Sequence, residues 1–116
     1  MAKVFKMAPW PGTLVFTTDR EEWMRLYVKR DGVNTEAYQT SSGLTWDDSG
    51  YHLLGVFDSK LSTLVHELGH AAMDVLNHAR TGDYTTGHNQ EQLCYLLSYL
   101  FELTYPIFIK GDCNEK

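Results

Sequence analysis

Read as a pattern of apolar and polar positions, the chain alternates short β-branched runs with amphipathic stretches. Residues 13–18, TLVFTT, are β-branched and aromatic and predict a strand. Asp19 followed by Glu22 has the form of a capping box and opens a helix through REEWMRLYVKR, which Gly32 is suited to end. Trp23, Leu26, Tyr27 and Arg30 share one stripe of that helix, so its inner face is aromatic at one end. Residues 34–57 read as a hairpin, with TEAYQTSSGLTW and YHLLGVF flanking the turn-forming cluster DDSG. The second arm carries the stronger strand signal.

Asp58 or Ser59 can cap a helix that starts near Lys60 and runs to about His78. Its apolar stripe is Leu61, Leu64, Val65, Leu68, Ala72, Val75 and Leu76. ARTGDYTTG follows as a connecting loop. Asn89 with Gln92 then resembles another cap and opens a helix to about Thr104, where Pro106 opposes a clean continuation. Leu93, Leu96, Leu97 and Leu100 form the core stripe of that helix, and Glu91, Tyr95, Ser98 and Glu102 form a separate polar ridge. The order strand, helix, two strands, helix, helix predicts an α+β fold with a small antiparallel or mixed sheet.

At 116 residues the chain is expected to be one domain, residues 1–116. The net charge is −5 and no basic run exceeds two residues, which argues against nucleic acid and anionic membranes as partners. The N-terminus, MAKVFKMAPWPG, lacks the apolar core of a secretory signal, and no stretch approaches the roughly 18 apolar residues of a membrane span. Cys94 lies in an apolar helical pattern and Cys113 in a polar tail, so reduced thiols in a cytoplasm are expected rather than a disulfide.

The chemistry is concentrated in TLVHELGHAAMD, residues 63–74. His66 and His70 are one helical turn apart, so both rings can reach a single ion, and they avoid the leucine stripe that would explain them as core. Glu67 sits about 100° around the helix from His66, where its carboxylate reaches a water rather than the ion. H-E-x-x-H on a helix supplies two zinc ligands and a general base. By chance the pattern arises in about one chain of this length in a few hundred. A catalytic zinc needs a third protein ligand, and His78, His88, Glu91 and Glu102 are the candidates. His78 is two turns beyond His70 and reads as a histidine near a helix C-terminus. Glu102 reads as part of a solvated ridge. Glu91 is preferred because it opens the helix after the loop, with His88 as its rival.

The segment HELGHAAMD resembles the active-site helix of thermolysin-type gluzincins, including the aspartate four residues after the second histidine, here Asp74. Those enzymes take a third ligand from a downstream motif close to N-E-x-x-S-D. Glu91 matches that ligand, while Gln90 replaces the preceding asparagine and Tyr95 stands where an orienting aspartate would be. Residues 63–72 and 89–100 also resemble small zinc metallopeptidases encoded by tailed bacteriophages, a likeness covering about half of the chain. It implies a zincin-like domain with one zinc ion, and a bacterial host cytoplasm as the compartment. SprT-like proteases take a third histidine at the start of the following helix, which here would be His88, although the usual glycine after it is replaced by Asn89.

The expected activity is hydrolysis of a peptide or protein substrate by metal-activated water, with His66, His70 and Glu91 as ligands and Glu67 as general base. Tyr95, Tyr84 and His88 are candidate donors to the tetrahedral oxyanion, Tyr95 being the one assigned. The strand YHLLGVF could take up an extended peptide if it lies at a sheet edge. Two other readings compete: a zinc-stabilised phage interaction protein without activity, and a hydrolase of a non-protein amide such as a cell-wall peptide.

Overall fold

The structure, a computed structural model, describes residues 2–8, 10–30, 39–79 and 87–114, except the side chains of residues 87–89 and 112–114. Seven elements follow one another: β1 (Lys3–Lys6), β2 (Thr13–Thr17), α1 (Arg20–Lys29), β3 (Gly43–Asp48), β4 (Tyr51–Val56), α2 (Leu61–Ala79) and α3 (Gly87–Asn114). The strands form one mixed sheet in the order β1-β2-β4-β3, with β2 and β4 parallel and the two outer pairs antiparallel. The α+β class expected from the pattern is thus present. Strand β1 was missed because KVFK is short and mostly exposed, with only Phe5 partly covered.

The register decides which residues face which helix. Phe5, Leu14, Leu54 and Thr45 lie on one face, because Phe5 is opposite Leu14 and Thr45 is opposite Leu54. On that face Leu14, Phe16, Leu54 and Val56 pack with Leu64, Leu68, Ala72 and Val75 of α2 and with Leu96 and Leu100 of α3. On the other face Val15, Leu44 and Leu53 pack with Trp23 and Tyr27 of α1. The aromatic inner face expected for α1 is there: Trp23 stacks on Tyr27 with ring centroids 5.1 Å apart, and Trp46 meets Tyr27 edge-on at 5.0 Å.

Local signals explain the element ends. The Asp19 carboxylate accepts from the Glu21 backbone N–H at 3.0 Å. The reciprocal arm of the box runs through Thr17, whose hydroxyl donates to Glu22 Oε1 and accepts from the Asp19 N–H. Ser49 and Gly50 both have positive φ, 50° and 92°, as the two-residue turn of a β3–β4 hairpin requires. Asp58 caps the start of α2, accepting from the Lys60 N–H and from the Thr63 hydroxyl.

Three expectations need correction. Helix α3 does not end near Thr104 but continues through Pro106 to Asn114. Pro106 and Glu102 are both exposed, which puts the interrupted turn on the solvent side of the helix, and the buried Thr104 hydroxyl bonds back to the Leu100 carbonyl at 2.9 Å. Because the helix is uninterrupted, Gln90–Gly111 is long and apolar enough by length and composition to cross a membrane, which the sequence did not suggest. Its Leu96, Leu100 and Phe108 are packed in the domain core. Finally, Leu61 and Val65 are about half exposed, on the rim of the α2 stripe rather than within it. The start of the hairpin's first arm, residues 35–38, the loop over 80–86 and Gly32 lie outside the described residues; α3 begins at Gly87, two residues before the expected cap at Asn89, whose side chain is likewise outside them.

One of the buried polar positions among the described residues is a histidine. His52 on β4 is fully buried, and its Nδ1 lies 3.0 Å from Asp47 Oδ1 on β3 without the alignment of a hydrogen bond. Its ring faces that of His78 on α2, with centroids 6.3 Å apart. Burial holds the His52 pKa below the ordinary histidine range; the Asp47 carboxylate pulls it up and His78 pushes it down. The unfolded chain therefore takes up a proton on His52 that the native state resists. The stability from the neutral ring is complete above about pH 6.5 and is lost as the pH falls below that value. The urea midpoint of the wild type is expected to fall from about pH 7 to about pH 5, and His52→Leu should flatten that fall. Parallel pH profiles for the two proteins would show that His52 is not its source.

Candidate metal centre

Helix α2 presents two different edges beside its buried face. His66 and His70 are both exposed, with ring centroids 4.9 Å apart. Glu67, next to His66 in sequence, is turned toward the sheet and is only 7% exposed. A carboxylate is seldom buried without a partner, and Glu67 has one. Thr45 Oγ1 on β3 stands 2.6 Å from Glu67 Oε1 and 3.2 Å from the Glu67 carbonyl oxygen.

Strand β3 reaches the helix this closely because Gly43 has no side chain. A Cβ at Gly43 would stand 2.7 Å from Thr63 Cγ2 and 2.9 Å from Glu67 Cγ. Beyond this contact opens a cleft of about 450 Å³ lined by Ser41, Ser42, Gly43, Thr63, His66 and Glu67. The cleft lies beside β3, the last strand of the sheet among the described residues. Strand β4, the expected peptide-binding edge, is paired on both sides by β2 and β3 and has no edge to offer. Its apolar composition belongs to a central strand.

Asp74, one turn beyond His70, is half-buried. Burial and the nearby Asp47 carboxylate raise its pKa above the usual aspartate range, and His70 opposes them. The stretch His66–His70–Asp74 is thus a continuous polar row on α2 whose far end faces Asp47 of β3.

No family model, curated protein or solved structure matches the chain.

The third donor is not joined to the pair. Among the described residues no group of three or more His, Cys, Asp and Glu stands close enough to hold an ion. Glu91 is exposed on the first turns of α3, and Tyr95, 66% exposed, follows it one turn later. Ser98 and Glu102 continue that ridge, which is exposed along its length as the pattern predicts. Glu102 also lines a groove of about 370 Å³ between α2 and α3, together with Val65, the neighbour of His66. The side chain of His88, and Tyr84 as a whole, lie outside the described residues, as does the side chain of Cys113; Cys94 is exposed and free. His78 meets His52 rather than His70, which fits its reading as a separate histidine near the helix end.

Two exposed imidazoles one turn apart have the donor chemistry and spacing that zinc takes, so His66 and His70 fit the ion as a pair. The sequence reading missed Gly43 and Thr45. Their only local signal is the G-x-T alternation within SSGLTW, which puts a position without a side chain and a hydroxyl on one face of a strand.

Proposed function

We propose that this chain is a one-domain, zinc-dependent peptidase with His66, His70 and Glu91 as ligands and Glu67 as general base. The observation that carries the reading is the setting of Glu67. It is a nearly buried carboxylate on the wall of an open cleft, adjacent to one of two exposed histidines. A solvated helix face would account for the histidines but gives no reason to desolvate a carboxylate beside them.

A zinc ion held there by His66 and His70 would supply Lewis acidity toward a water and the scissile carbonyl. Glu67 takes the proton of the attacking water and returns it to the departing amine. Glu91, which stands apart from the pair in this structure, is proposed as the third ligand and would contribute a negative charge that partly offsets that of the ion. Tyr95, on the same ridge of α3, is assigned as the hydroxyl donor to the oxyanion. An extended peptide would lie along the outer edge of β3, the last strand among the described residues, where backbone hydrogen bonds would hold it with little demand on its sequence. The substrate is a peptide or protein chain of unspecified sequence.

Zinc content tests the ligand set. Elemental analysis of the wild type should find about one zinc per chain, and His66→Ala and His70→Ala should each carry none. In competition with a chelator, Glu91→Ala should weaken zinc affinity on the order of 100-fold or more, while His88→Ala and Glu102→Ala remain near wild type. Collapse in Glu102→Ala with wild-type affinity in Glu91→Ala would move the third ligand down α3. Collapse in His88→Ala would make it a three-histidine site.

The general base is tested separately. Glu67→Gln should keep its zinc and its fold while losing on the order of 10²- to 10⁴-fold in turnover of a fluorogenic peptide library, because an amide cannot accept the proton. Full activity in that variant would remove Glu67 from the mechanism, and loss of zinc would make it a ligand instead.

A further inference from the structure

Two inward positions of β3 bear on the same side chain. Gly43 leaves the space that Glu67 Cγ occupies, and Thr45 places its hydroxyl 2.6 Å from Glu67 Oε1. A free glutamate has several rotamers and loses on the order of 1.5–2 kcal/mol of conformational freedom when held in one. A reacting carboxylate that must meet a water within a few tenths of an ångström benefits from having that loss occur on folding. Threonine is a suitable clamp, since its β-branched side chain is stiff at χ1 and its short O–H···O contact is of the stronger kind. Oε2 has no hydrogen-bond partner among the described residues, so the clamp leaves one oxygen for chemistry.

We propose that Gly43 and Thr45 are positioning residues of the site, locking the Glu67 carboxylate in one rotamer with Oε1 engaged and Oε2 free for the reacting water. The inference rests on the reading of Glu67 as the general base. A merely structural tie between strand and helix would explain the Thr45 hydrogen bond. A Cβ at the glycine beside it would meet Thr63 Cγ2 at 2.7 Å and the Gly55 carbonyl at 3.0 Å as well as Glu67 Cγ at 2.9 Å, so the glycine sets both the closeness of strand and helix and the room for the Glu67 stem. Helix α2 is already anchored by its leucine face and by the Asp58 cap.

The experiment compares wild type, Thr45→Val, Thr45→Ser and Gly43→Ala, with casein and a quenched fluorogenic peptide library as substrates. Chelator competition reports zinc affinity, and a crystal structure reports the Glu67 rotamer. Thr45→Val should lower kcat about 10- to 100-fold with KM and zinc affinity within about twofold of wild type, and Thr45→Ser should recover most of the loss. Gly43→Ala should also lower kcat although the hydroxyl is intact. In crystals, Glu67 should hold one rotamer in the wild type and leave it in Thr45→Val.

Unchanged kcat in Thr45→Val, or Glu67 unmoved in its crystal structure, overturns the clamp. Equal losses in the Val and Ser variants accompanied by loss of zinc or of folded protein overturn it in favour of a structural tie. Wild-type kcat in Gly43→Ala removes Gly43 from the proposal. If the wild type binds zinc but cleaves neither substrate, the peptidase reading fails, and the Glu67 rotamer in the two crystal structures decides the clamp on its own.

Discussion

Everything near the candidate site depends on how closely one edge strand approaches one helix. A residue with any side chain at position 43 would put its Cβ under 3 Å from both Thr63 and Glu67, so strand and helix would have to part. Parting them by even an ångström would lengthen the 2.6 Å contact between Thr45 and Glu67 beyond a strong hydrogen bond. It would also hydrate the carboxylate and open the cleft floor. The leucine packing of α2 on β4 supplies the bulk of the adhesion, but it is indifferent to where Glu67 points. Position 43 is where general hydrophobic packing becomes a specific geometry.

The same contact explains what the sequence could and could not disclose. Helix α2 was legible because its information is local: a cap at Asp58, a stripe of leucines at helical spacing, and two histidines four apart off that stripe. The polar ridge of α3 was legible for the same reason. Partners across space were not. Thr45 and Glu67 are 22 residues apart, and nothing in either neighbourhood names the other. The order of strands was hidden too, because YHLLGVF looks equally apolar whether it is central or at an edge with a covered face. Pro106 misled in the opposite direction. Its local rule is sound, yet an exposed turn of a helix otherwise held by Leu96, Leu100 and Phe108 tolerates one missing hydrogen bond.

The pair of exposed histidines bears on the choice between a structural and a catalytic ion. A structural zinc is closed by four protein ligands and shielded by its surroundings, whereas a catalytic one keeps an open side. His66 and His70 face solvent, and the cleft beside them is lined by Ser41, Ser42, Gly43, Thr63 and Glu67. Among the described residues no third donor stands with the pair, so either kind of site would need at least one further ligand brought to this surface.

Strand β3 makes the same point from the side of the fold. The inward residues of β2 and β4 include Leu14, Phe16, Leu54 and Val56, the ordinary material of a core. The inward residues of β3, at matching register, are Gly43, Thr45 and Asp47. Three successive inward positions thus decline the apolar side chains that would stabilise the sheet, and each meets a polar group instead: Glu67 for the first two, His52 and the neighbourhood of Asp74 for the third. Local departures from the hydrophobic pattern are expected where a protein gives up stability for function. Here the departure is concentrated on β3, with His52 of β4 opposite its last inward position, on the face that meets the H-E-x-x-H helix. A chance match to the motif would leave the strand beside it free to be hydrophobic. Polar inward positions on β3 beside Glu67 are what the proposed site would require of that strand.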